Sequence, residues 1–373
     1  MKPESYIDQP GIYIGVQSLR FFAALAVLWA HITLIIHERF GKPAFPISDI
    51  GFTGVAIFFV ISGFVMYVST PYLIGVNGSG KDFALRRIIR LVPLYWIATT
   101  LKLLIVLFIP SETFHSSFMP FHTIASYLFI AARNEAGDIS PLHAVGWTLN
   151  YEMFFYFLFA IALHFKKSPL FFVGGILIAL VIAGLFFDPF TTPAFVAYLQ
   201  PIVLQFLLGM FIGYVCVKGW KVNTYILVLM LMIGLYIDLT VKVPAYDLGW
   251  ESFLVVGIPS ALIVGGVALL EPKLQHWIPV TLRQLGDSTY SLYLFHPFIF
   301  GVMAFVLVSI HIYKPTLIFP VMIVCAVIGG WLIYRYLELP LTKFFRKLAK
   351  PYLLSHKSLP VTGLESNSRK ITA

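Results

Sequence analysis

The sequence predicts an all-α, polytopic transmembrane helix bundle of about ten spans, with both chain termini in the cytoplasm. Hydrophobic residues make up 59% of the 373 residues, and the mean hydropathy is +0.87. Charged residues make up 12%, about half of the roughly 25% that is typical of soluble domains. One transmembrane domain at residues 12–345 and a polar cytoplasmic tail at 346–373, which we expect to be disordered, account for this distribution.

Ten apolar segments are predicted to cross the roughly 30 Å hydrocarbon core of a membrane. In chain order they cover residues 12–36, 51–69, 88–109, 146–165, 169–187, 195–217, 222–241, 251–270, 286–310 and 316–337. Segment 119–132 is also apolar, but its 14 residues are typical of a re-entrant or interfacial element. The connection at 110–145 is the longest, and we expect it to form an outer lid or binding loop.

The lysines and arginines decide between orientations, because short cytoplasmic loops carry an excess of them. Ten spans and a cytoplasmic N-terminus place 18 of the 26 basic residues in cytoplasmic segments, five in outer segments and three within spans. Counting 119–132 as a span would move Lys166, Lys167 and the basic tail to the outside. The ten-span arrangement is therefore preferred.

Composition also argues against several classes of partner. The net charge of +9 follows the loops between spans, so it does not indicate a nucleic-acid partner. Cys216 and Cys325 both fall within predicted spans, so neither a disulfide framework nor a metal site is expected.

Arg20 and His31 lie eleven residues apart in the first apolar segment, about 16 Å along a helix. Ionisable groups inside a membrane helix are costly and commonly functional. Glu152 lies near the outer end of the fourth span, at a depth similar to that of His31. A carboxylate beside a histidine is a standard general-base arrangement, although two unrelated buried polar groups would give the same pattern.

Three arginines precede the third span in the segment Phe83-Ala-Leu-Arg-Arg-Ile-Ile-Arg90. Arg87 and Arg90 are three residues apart and therefore share one helix face. Such a pair can clamp phosphate groups. Ordinary positive charge at the cytoplasmic membrane boundary is the simpler alternative.

Other polar or small residues occur within the spans, and for each of them a structural role is the alternative to a functional role. Ser62 and Gly63 offer close helix approach, and a packing role is favoured over a catalytic serine. His296 could line a cavity or hydrogen-bond between helices. Glu338 ends the tenth span, where it could pair with Arg87, Arg90 or Arg335.

Together these segments resemble the acyltransferase 3 family of membrane O-acyltransferases over roughly residues 12–345. The similar segments are Arg20 with His31, the Phe-Phe-x-x-Ser-Gly-Phe segment 58–64, Arg87 with Arg90, segment 147–156 and segment 291–296. Segments 16–20 and 147–156 are closest to the exopolysaccharide-production branch. One departure is Leu339, since the family often has Glu-Lys-Pro where this chain has Glu-Leu-Pro.

The resemblance implies a bacterial inner-membrane enzyme that transfers an acyl group, most often acetyl, from cytoplasmic acyl-CoA. The acceptor would be a hydroxyl of an exopolysaccharide, another cell-surface glycan or a lipid-linked saccharide. Membrane lipids surround such a protein, and no tightly bound cofactor is expected.

The resemblance also implies roles for individual residues. Arg87 and Arg90 would hold the donor's phosphates, and Arg20 would lie along the pantetheine arm. His31 would act as general base or carry the acyl group, and Glu152 would orient His31 or bind the sugar. Further cavity or structural candidates are Ser62, Gly63, Trp147, Asn150, His296 and Glu338, with Trp147 as a stacking surface for the sugar.

Two other classes fit part of the pattern. A multi-span transporter or flippase of a glycan or small polar substrate also places His, Arg and Glu within the membrane. Such a protein should show repeat-related discontinuous helices in two halves, which we do not find in the sequence. A scaffolding subunit would not need ionisable groups that line a shared cavity.

Overall fold

The computed structural model describes residues 13–41, 50–109, 118–188, 192–241 and 248–354. Regular structure within these ranges is helical, apart from one isolated antiparallel bridge between Arg133 and Ile139. The predicted all-α class is confirmed at this level. Both chain termini lie outside the described residues, so their cytoplasmic location stays a prediction.

The helices are labelled in chain order. They are α1 (Ile14–Phe40), α2 (Ile50–Val68), α3 (Ser79–Phe108), α4 (Pro120–Tyr127), α5 (Trp147–His164), α6 (Pro169–Gly184), α7 (Leu204–Val217), α8 (Thr224–Thr240), α9 (Trp250–Leu269), α10 (Glu271–Leu274), α11 (Val280–Asp287), α12 (Thr289–Ser309), α13 (Pro315–Ile333) and α14 (Leu339–Ala349). Wider π-helical turns occur at Phe253–Gly257 and Tyr334–Glu338, and short 3₁₀ turns occur at Pro71–Leu73, Ala144–Gly146, Ala194–Leu199, Pro201–Val203 and Lys350–Tyr352.

Each of the ten predicted spans coincides with one of these helices, although the helices differ in length. In the described ranges, six are long and apolar enough to cross a membrane: α1, α2, α3, α9, α12 and the helical run that begins with α13. The other four, α5, α6, α7 and α8, have 14 to 18 residues. At 1.5 Å per residue they reach about 21–27 Å, so a full ten-span arrangement stays a prediction.

Segment 119–132 forms only the eight-residue helix α4. At about 12 Å, α4 is too short to cross a membrane, which agrees with a re-entrant or interfacial element. The chain after α4 folds back on it, since Leu142 N–H donates to Ser126 Oγ at 2.8 Å. His143 Nε2 then donates to the carbonyl of Leu294 in α12 at 2.8 Å, and burial lowers the pKa of His143 to about 4. Residues 110–117 of the predicted outer loop lie outside the described residues.

The predicted boundary of a disordered tail at residue 346 falls inside helix α14. Residues 346–349 complete α14, a 3₁₀ turn follows at Lys350–Tyr352, and Leu354 contacts the first turns of α3. Polar composition suggested disorder, but the segment is amphipathic and finds a partner on α3. Residues 355–373 lie outside the described residues.

The N-terminus of α1 is capped by a carboxylate from a distant part of the chain. Glu271 accepts hydrogen bonds from the backbone N–H groups of Ile14 at 2.6 Å and Gly15 at 2.9 Å. The first N–H groups of a helix lack partners within it, and negative charge there is favourable. Gln17 also donates to Asp287 at the end of α11, so α1 is fixed at the end that leads to Arg20.

Helices α2 and α7 approach closely through a pair of glycines. A Cβ atom added at Gly63 would lie 2.0 Å from the carbonyl oxygen of Phe206, and one added at Gly209 would lie 1.9 Å from that of Val60. Any larger side chain would separate the helices, so Gly63 has the packing role that the sequence favoured. This contact also fixes the position of Ser62, the preceding residue.

Gly209→Ala should destabilise the protein by about 1–3 kcal/mol, because the added methyl group has no room in the α2–α7 contact. Gly175→Ala in α6 is the matched control, since a Cβ atom there meets nothing within 4 Å. Alanine is also the better helix former, so the control should be neutral or up to about 1 kcal/mol more stable. Thermal unfolding of detergent-solubilised protein measures both, and equal midpoints would contradict this packing role.

The outer position of residues 110–145 can be tested by cysteine labelling after Cys216 and Cys325 are replaced by serine. Ala136→Cys, at an exposed position, should react with a membrane-impermeant maleimide in intact cells. Lys167→Cys, also exposed, should react only after permeabilisation. Labelling of Lys167→Cys from outside intact cells would refute the predicted orientation.

Candidate active site

A cavity opens between α1, α2, α3, α5 and α12, with about 770 Å³ of empty space that is partly open to solvent. Predicted site residues from four separate segments meet there. Its lining consists of Arg20, Val55, Phe58, Phe59, Ile61, Ser62, Val65, Met66, Arg87, Arg90, Leu91, Thr148, Leu149, Glu152, Tyr156, Thr289, Tyr290 and Tyr293. The bundle therefore joins Arg20, the Arg87–Arg90 pair, Ser62 and Glu152 in one space.

The cavity carries more positive than negative charge. Arg20, Arg87 and Arg90 lie close enough to interact electrostatically with one another through Arg90. Within the described ranges, none of the three has a carboxylate at salt-bridge distance. The Arg87 guanidinium instead lies 5.4 Å from the ring centre of Phe83 and 5.7 Å from that of Tyr156, and its buried Nε has no hydrogen-bond partner among the described residues.

Glu152 is the carboxylate of this cavity, and two hydroxyl groups hold it. Ser62 Oγ donates to Glu152 Oε1 at 2.8 Å, and the Tyr156 hydroxyl donates to the same oxygen. These bonds connect α2 with α5 and orient the carboxylate within electrostatic range of Arg20 and Arg87. Ser62 thus does more than allow close packing, because its hydroxyl orients an acid that faces the cavity.

His31 does not meet Glu152, as the sequence had suggested it could. In the described part of the chain the two share no hydrogen bond; His31 Nδ1 lies 2.9 Å from the carbonyl oxygen of Val27. A carbonyl can only accept, so Nδ1 carries the proton of the neutral ring and Nε2 has a free lone pair. The element that fixes the tautomer is therefore the backbone of α1 itself.

The ring of His31 packs against that of His296, with 4.8 Å between ring centres and an edge-to-face arrangement. His296 is fully buried, and neither of its ring nitrogens has a hydrogen-bond partner among the described residues. The two histidines lie beside the cavity rather than in its wall. Tyr293 connects the two sites, because it lines the cavity and its ring centre is 6.0 Å from that of His296.

Glu338 has no arginine at salt-bridge distance among the described residues. It is buried and accepts a hydrogen bond from Ser291 Oγ at 2.6 Å, although Arg20 and Arg90 lie within electrostatic range. The expected ion pair with Arg87, Arg90 or Arg335 is therefore replaced by a contact that joins α12 to the end of α13.

Trp147 and Asn150 are not among the cavity-lining residues. The Trp147 ring packs against Phe59 at 6.3 Å and Tyr151 at 5.8 Å between ring centres. Asn150 is buried, and its Oδ1 has no hydrogen-bond partner among the described residues. Both residues lie on a different face of α5 from Glu152.

A family model described as an acyltransferase domain matches residues 13–335. The chain belongs to the acyltransferase 3 family. It is 34% identical to exopolysaccharide production protein ExoZ of Rhizobium meliloti (strain 1021) over 315 residues, which are 79% of this chain and 90% of that protein. It is 23% identical to acyltransferase MdmB of Streptomyces mycarofaciens over 307 residues, 76% of this chain and 77% of the relative.

A further relative, from Acidianus two-tailed virus, carries the provisional name acetyltransferase ORF330. It is 22% identical over 300 residues, which are 75% of this chain and 81% of that protein. No solved protein structure matches the chain. These matches confirm the resemblance seen in the sequence. Similarity alone does not show that this chain acts on the same acceptor as any of these relatives.

The acyltransferase 3 segments converge in space. Arg20, segment 58–64, the Arg87–Arg90 pair, segment 147–156 and segment 291–296 all contribute cavity-lining residues. His31 and His296, the remaining members of these segments, form the adjacent ring pair. This convergence identifies the cavity and the histidine pair as the candidate active site of this family member.

Two tyrosines of the site were not singled out from the sequence. Tyr156 lies four residues after Glu152, and Tyr293 lies three residues before His296. Both spacings place the tyrosine on the same helix face as the ionisable residue, so helical spacing was a signal that could have found them. In a chain with 19 tyrosines, this signal has low specificity.

Proposed function

We propose that this protein is an integral inner-membrane O-acyltransferase, most readily an O-acetyltransferase, that uses cytoplasmic acyl-CoA. The acceptor is a hydroxyl of an exopolysaccharide or another cell-surface glycan. The observation that carries the proposal is a cavity with three arginines that lack an acidic partner in the described structure, next to a histidine with a free Nε2 lone pair. The name of the relative from Rhizobium meliloti supports an exopolysaccharide as the acceptor.

The arginines suit the phosphates of acyl-CoA. Guanidinium groups form charge-assisted, often paired hydrogen bonds with phosphate oxygens. Arg87 and Arg90 lie on one face of α3, where they would hold the donor's diphosphate. Arg20 would then contact the donor farther along the cavity, toward the acyl group.

His31 suits the role of general base for the transfer step. Its Nε2 would take the proton of the acceptor hydroxyl while the hydroxyl oxygen attacks the thioester carbonyl carbon. The carbon–sulfur bond then breaks, the new oxygen ester forms, and the imidazolium returns the proton to the departing thiolate. An acyl group carried by His31 itself would use the same nitrogen.

The donor must reach His31 past the rings of Phe58 and Tyr293, whose centres are 6.0 Å apart. Both rings line the arginine cavity, and the ring centre of Tyr293 is also 6.0 Å from that of His296. We infer that these two rings, which are in edge-to-face contact, move apart to admit the thioester end of the donor, and that the sugar approaches His31 from the side of the outer segment 118–146. Phe52 and Trp147 are half-buried, with 6.4 Å between their ring centres, and offer aromatic surface on that side.

Arg87→Ala and Arg90→Ala should each raise the KM for acetyl-CoA by about tenfold to a hundredfold. This range corresponds to about 1.5–3 kcal/mol for a lost hydrogen bond to a charged group. Lysine at either position should restore part of the lost affinity, since it keeps the positive charge but not the forked geometry of the guanidinium group. The measurement is initial rate against acetyl-CoA concentration for purified protein in nanodiscs.

Arg86→Ala is the matched control for this pair. Arg86 is on the same helix, but it pairs with Asp82 at 2.8 Å and does not line the cavity. Its replacement should leave the KM within about twofold, because Arg86 does not line the cavity. An equal effect of all three substitutions would indicate general surface charge rather than a donor site.

His31→Gln should insert and fold but lose at least about 100-fold in acetyl transfer, the lower end of what a general base contributes. Glutamine keeps a hydrogen-bonding side chain of similar reach but cannot accept a proton at neutral pH. Binding of acetyl-CoA should be retained, since the phosphate-binding arginines are on α3. Transfer rate, acetyl-CoA binding and the mass of the host's surface polysaccharide are compared at equal expression; near-normal transfer would exclude both roles of His31.

A further inference from the structure

Helix α14 continues from α13 through the π-helical turn Tyr334–Glu338, and it packs against α3. The chain that follows α14 is fastened to the first turn of α3, because Leu354 N–H donates to Asp82 Oδ1 at 2.8 Å. The predicted tenth span ends at residue 337. Helix α14 therefore begins where the chain leaves the apolar interior of the membrane.

One side of α14 is partly covered by the rest of the bundle. From residue 341 onward, the partly covered side chains are Leu341, Thr342, Phe345 and Ala349. At about 100° per residue, these four positions occupy one sector of roughly 100° around the helix axis. The other side chains of this stretch are exposed, so most of the circumference of α14 lacks a cover among the described residues.

The exposed surface of α14 divides into an apolar row and a basic row. The apolar row is Phe344 and Leu348, which are one helical turn apart and 58% and 57% exposed. Helical spacing places the two rows side by side along the axis, each in its own sector. The basic row consists of Lys343, Arg346, Lys347 and, in the 3₁₀ turn that follows α14, Lys350.

The basic row has no acidic partner. Residues 339–354 contain neither aspartate nor glutamate. Within the described residues, none of the four basic side chains has a carboxylate at salt-bridge distance. The carboxylate of Asp82, which contacts the end of this segment, already accepts hydrogen bonds from Arg86 and from Leu354 N–H. The row is therefore open to an anion from outside the chain.

The two rows together indicate what that anion is. A free phosphate or a nucleotide would satisfy the basic row but would leave Phe344 and Leu348 in water. An apolar protein groove would cover these two side chains but would offer nothing to the positive charges. The surface of a bilayer with anionic lipids offers apolar chains and phosphate groups side by side, and it suits a helix with this division.

We propose that α14 is an interfacial helix that binds anionic phospholipids at the membrane surface next to α13. Phe344 and Leu348 enter the boundary between acyl chains and headgroups, and the basic row binds the lipid phosphates. The proposal does not depend on acyl transfer. Because Leu354 is bonded to Asp82 at the start of α3, lipid bound to α14 also holds the helix that carries the Arg87–Arg90 pair.

The depth of the apolar row is tested with single cysteines after Cys216 and Cys325 are replaced by serine. Phe344→Cys and Leu348→Cys are labelled with an environment-sensitive nitrobenzoxadiazole dye and placed in nanodiscs. Lipids with a nitroxide on the acyl chain should quench both labels at least about twofold, because the apolar face of an interfacial helix lies about 5–10 Å below the headgroups.

Arg346→Cys is the matched control for depth. It is exposed on the same helix and is turned by about 160–200° from the two apolar positions. Its label should be quenched by acrylamide from the water and much less by the lipid nitroxide. Equal quenching of all three labels by acrylamide would place α14 away from the membrane and overturn the proposal.

The charge preference is tested by adding phosphatidylglycerol to Leu348→Cys protein, labelled as above, in micelles with phosphatidylcholine. The double change Lys343→Gln with Lys347→Gln should weaken the apparent affinity by about tenfold or more, since each basic residue at an anionic surface contributes about fivefold. High salt should weaken binding to the unchanged basic row in the same direction. Lys166→Gln with Lys167→Gln, an exposed pair elsewhere on the chain, should leave the affinity within about twofold.

Three outcomes would show a different occupant. If phosphatidylcholine changes the dye signal as effectively as phosphatidylglycerol, the basic row does not select anionic lipid and the proposal is wrong. If acetyl-CoA or inorganic phosphate alone gives the same change, the row binds a soluble anion instead. If the cysteines at 344 or 348 crosslink between two copies of the chain, a second copy covers the apolar row. Each result overturns the proposal.

Discussion

The crowding of guanidinium groups around Arg90 is the constraint on which the rest of the site depends. Arg20, Arg87 and Arg346 each lie within electrostatic range of Arg90, and Arg346 also lies within electrostatic range of Arg86. Of these five, Arg86 alone has a carboxylate at salt-bridge distance in the described part of the chain. Positive charge at such density within an apolar bundle is unfavourable unless an anion offsets it. The fold tolerates it because Glu152 and Glu338 lie nearby and because the cavity is partly open to solvent.

The packing of the helix bundle then determines how the charged side chains of the cavity are oriented. The glycine contact between α2 and α7 brings two backbones together and places Ser62 toward α5. Ser62 and Tyr156 both donate to the same oxygen of Glu152, so the carboxylate is fixed while the arginines keep unused donors. Capping of α1 by Glu271 holds the helix that supplies Arg20 and His31. Small residues and hydroxyl groups that are far apart in the sequence thus determine which hydrogen-bond donors face the cavity.

Much of this could be predicted from the sequence, but the side-chain partners could not. Apolar runs located the helices, and the spacing of Arg20, Arg87 and Arg90 identified the residues that meet in the cavity. Helical periodicity gives the face and the depth of a residue, but it does not say which helices are neighbours. Hence His31 was matched with Glu152 by depth, whereas α12 lies beside α1 at that level and supplies His296 instead. Similarly, the polar composition of residues 346–373 predicts disorder, and it does not reveal the contact of Leu354 with Asp82, because that contact depends on tertiary structure.

The separation of the arginine cavity from the histidine pair has a consequence for the proposed reaction. Phosphate binding by arginine and proton transfer by histidine benefit from opposite surroundings, because a guanidinium cluster beside His31 would disfavour the imidazolium that forms during transfer. Tyr293 borders both sites, because it lines the cavity and its ring centre is 6.0 Å from that of His296. Val27 rather than a charged group sets the tautomer of His31. The long pantetheine arm of the proposed acyl-CoA donor can span the distance between the arginines that bind its phosphates and His31. Tyr293 is therefore as much a part of the proposed mechanism as the arginines and histidines on either side of it.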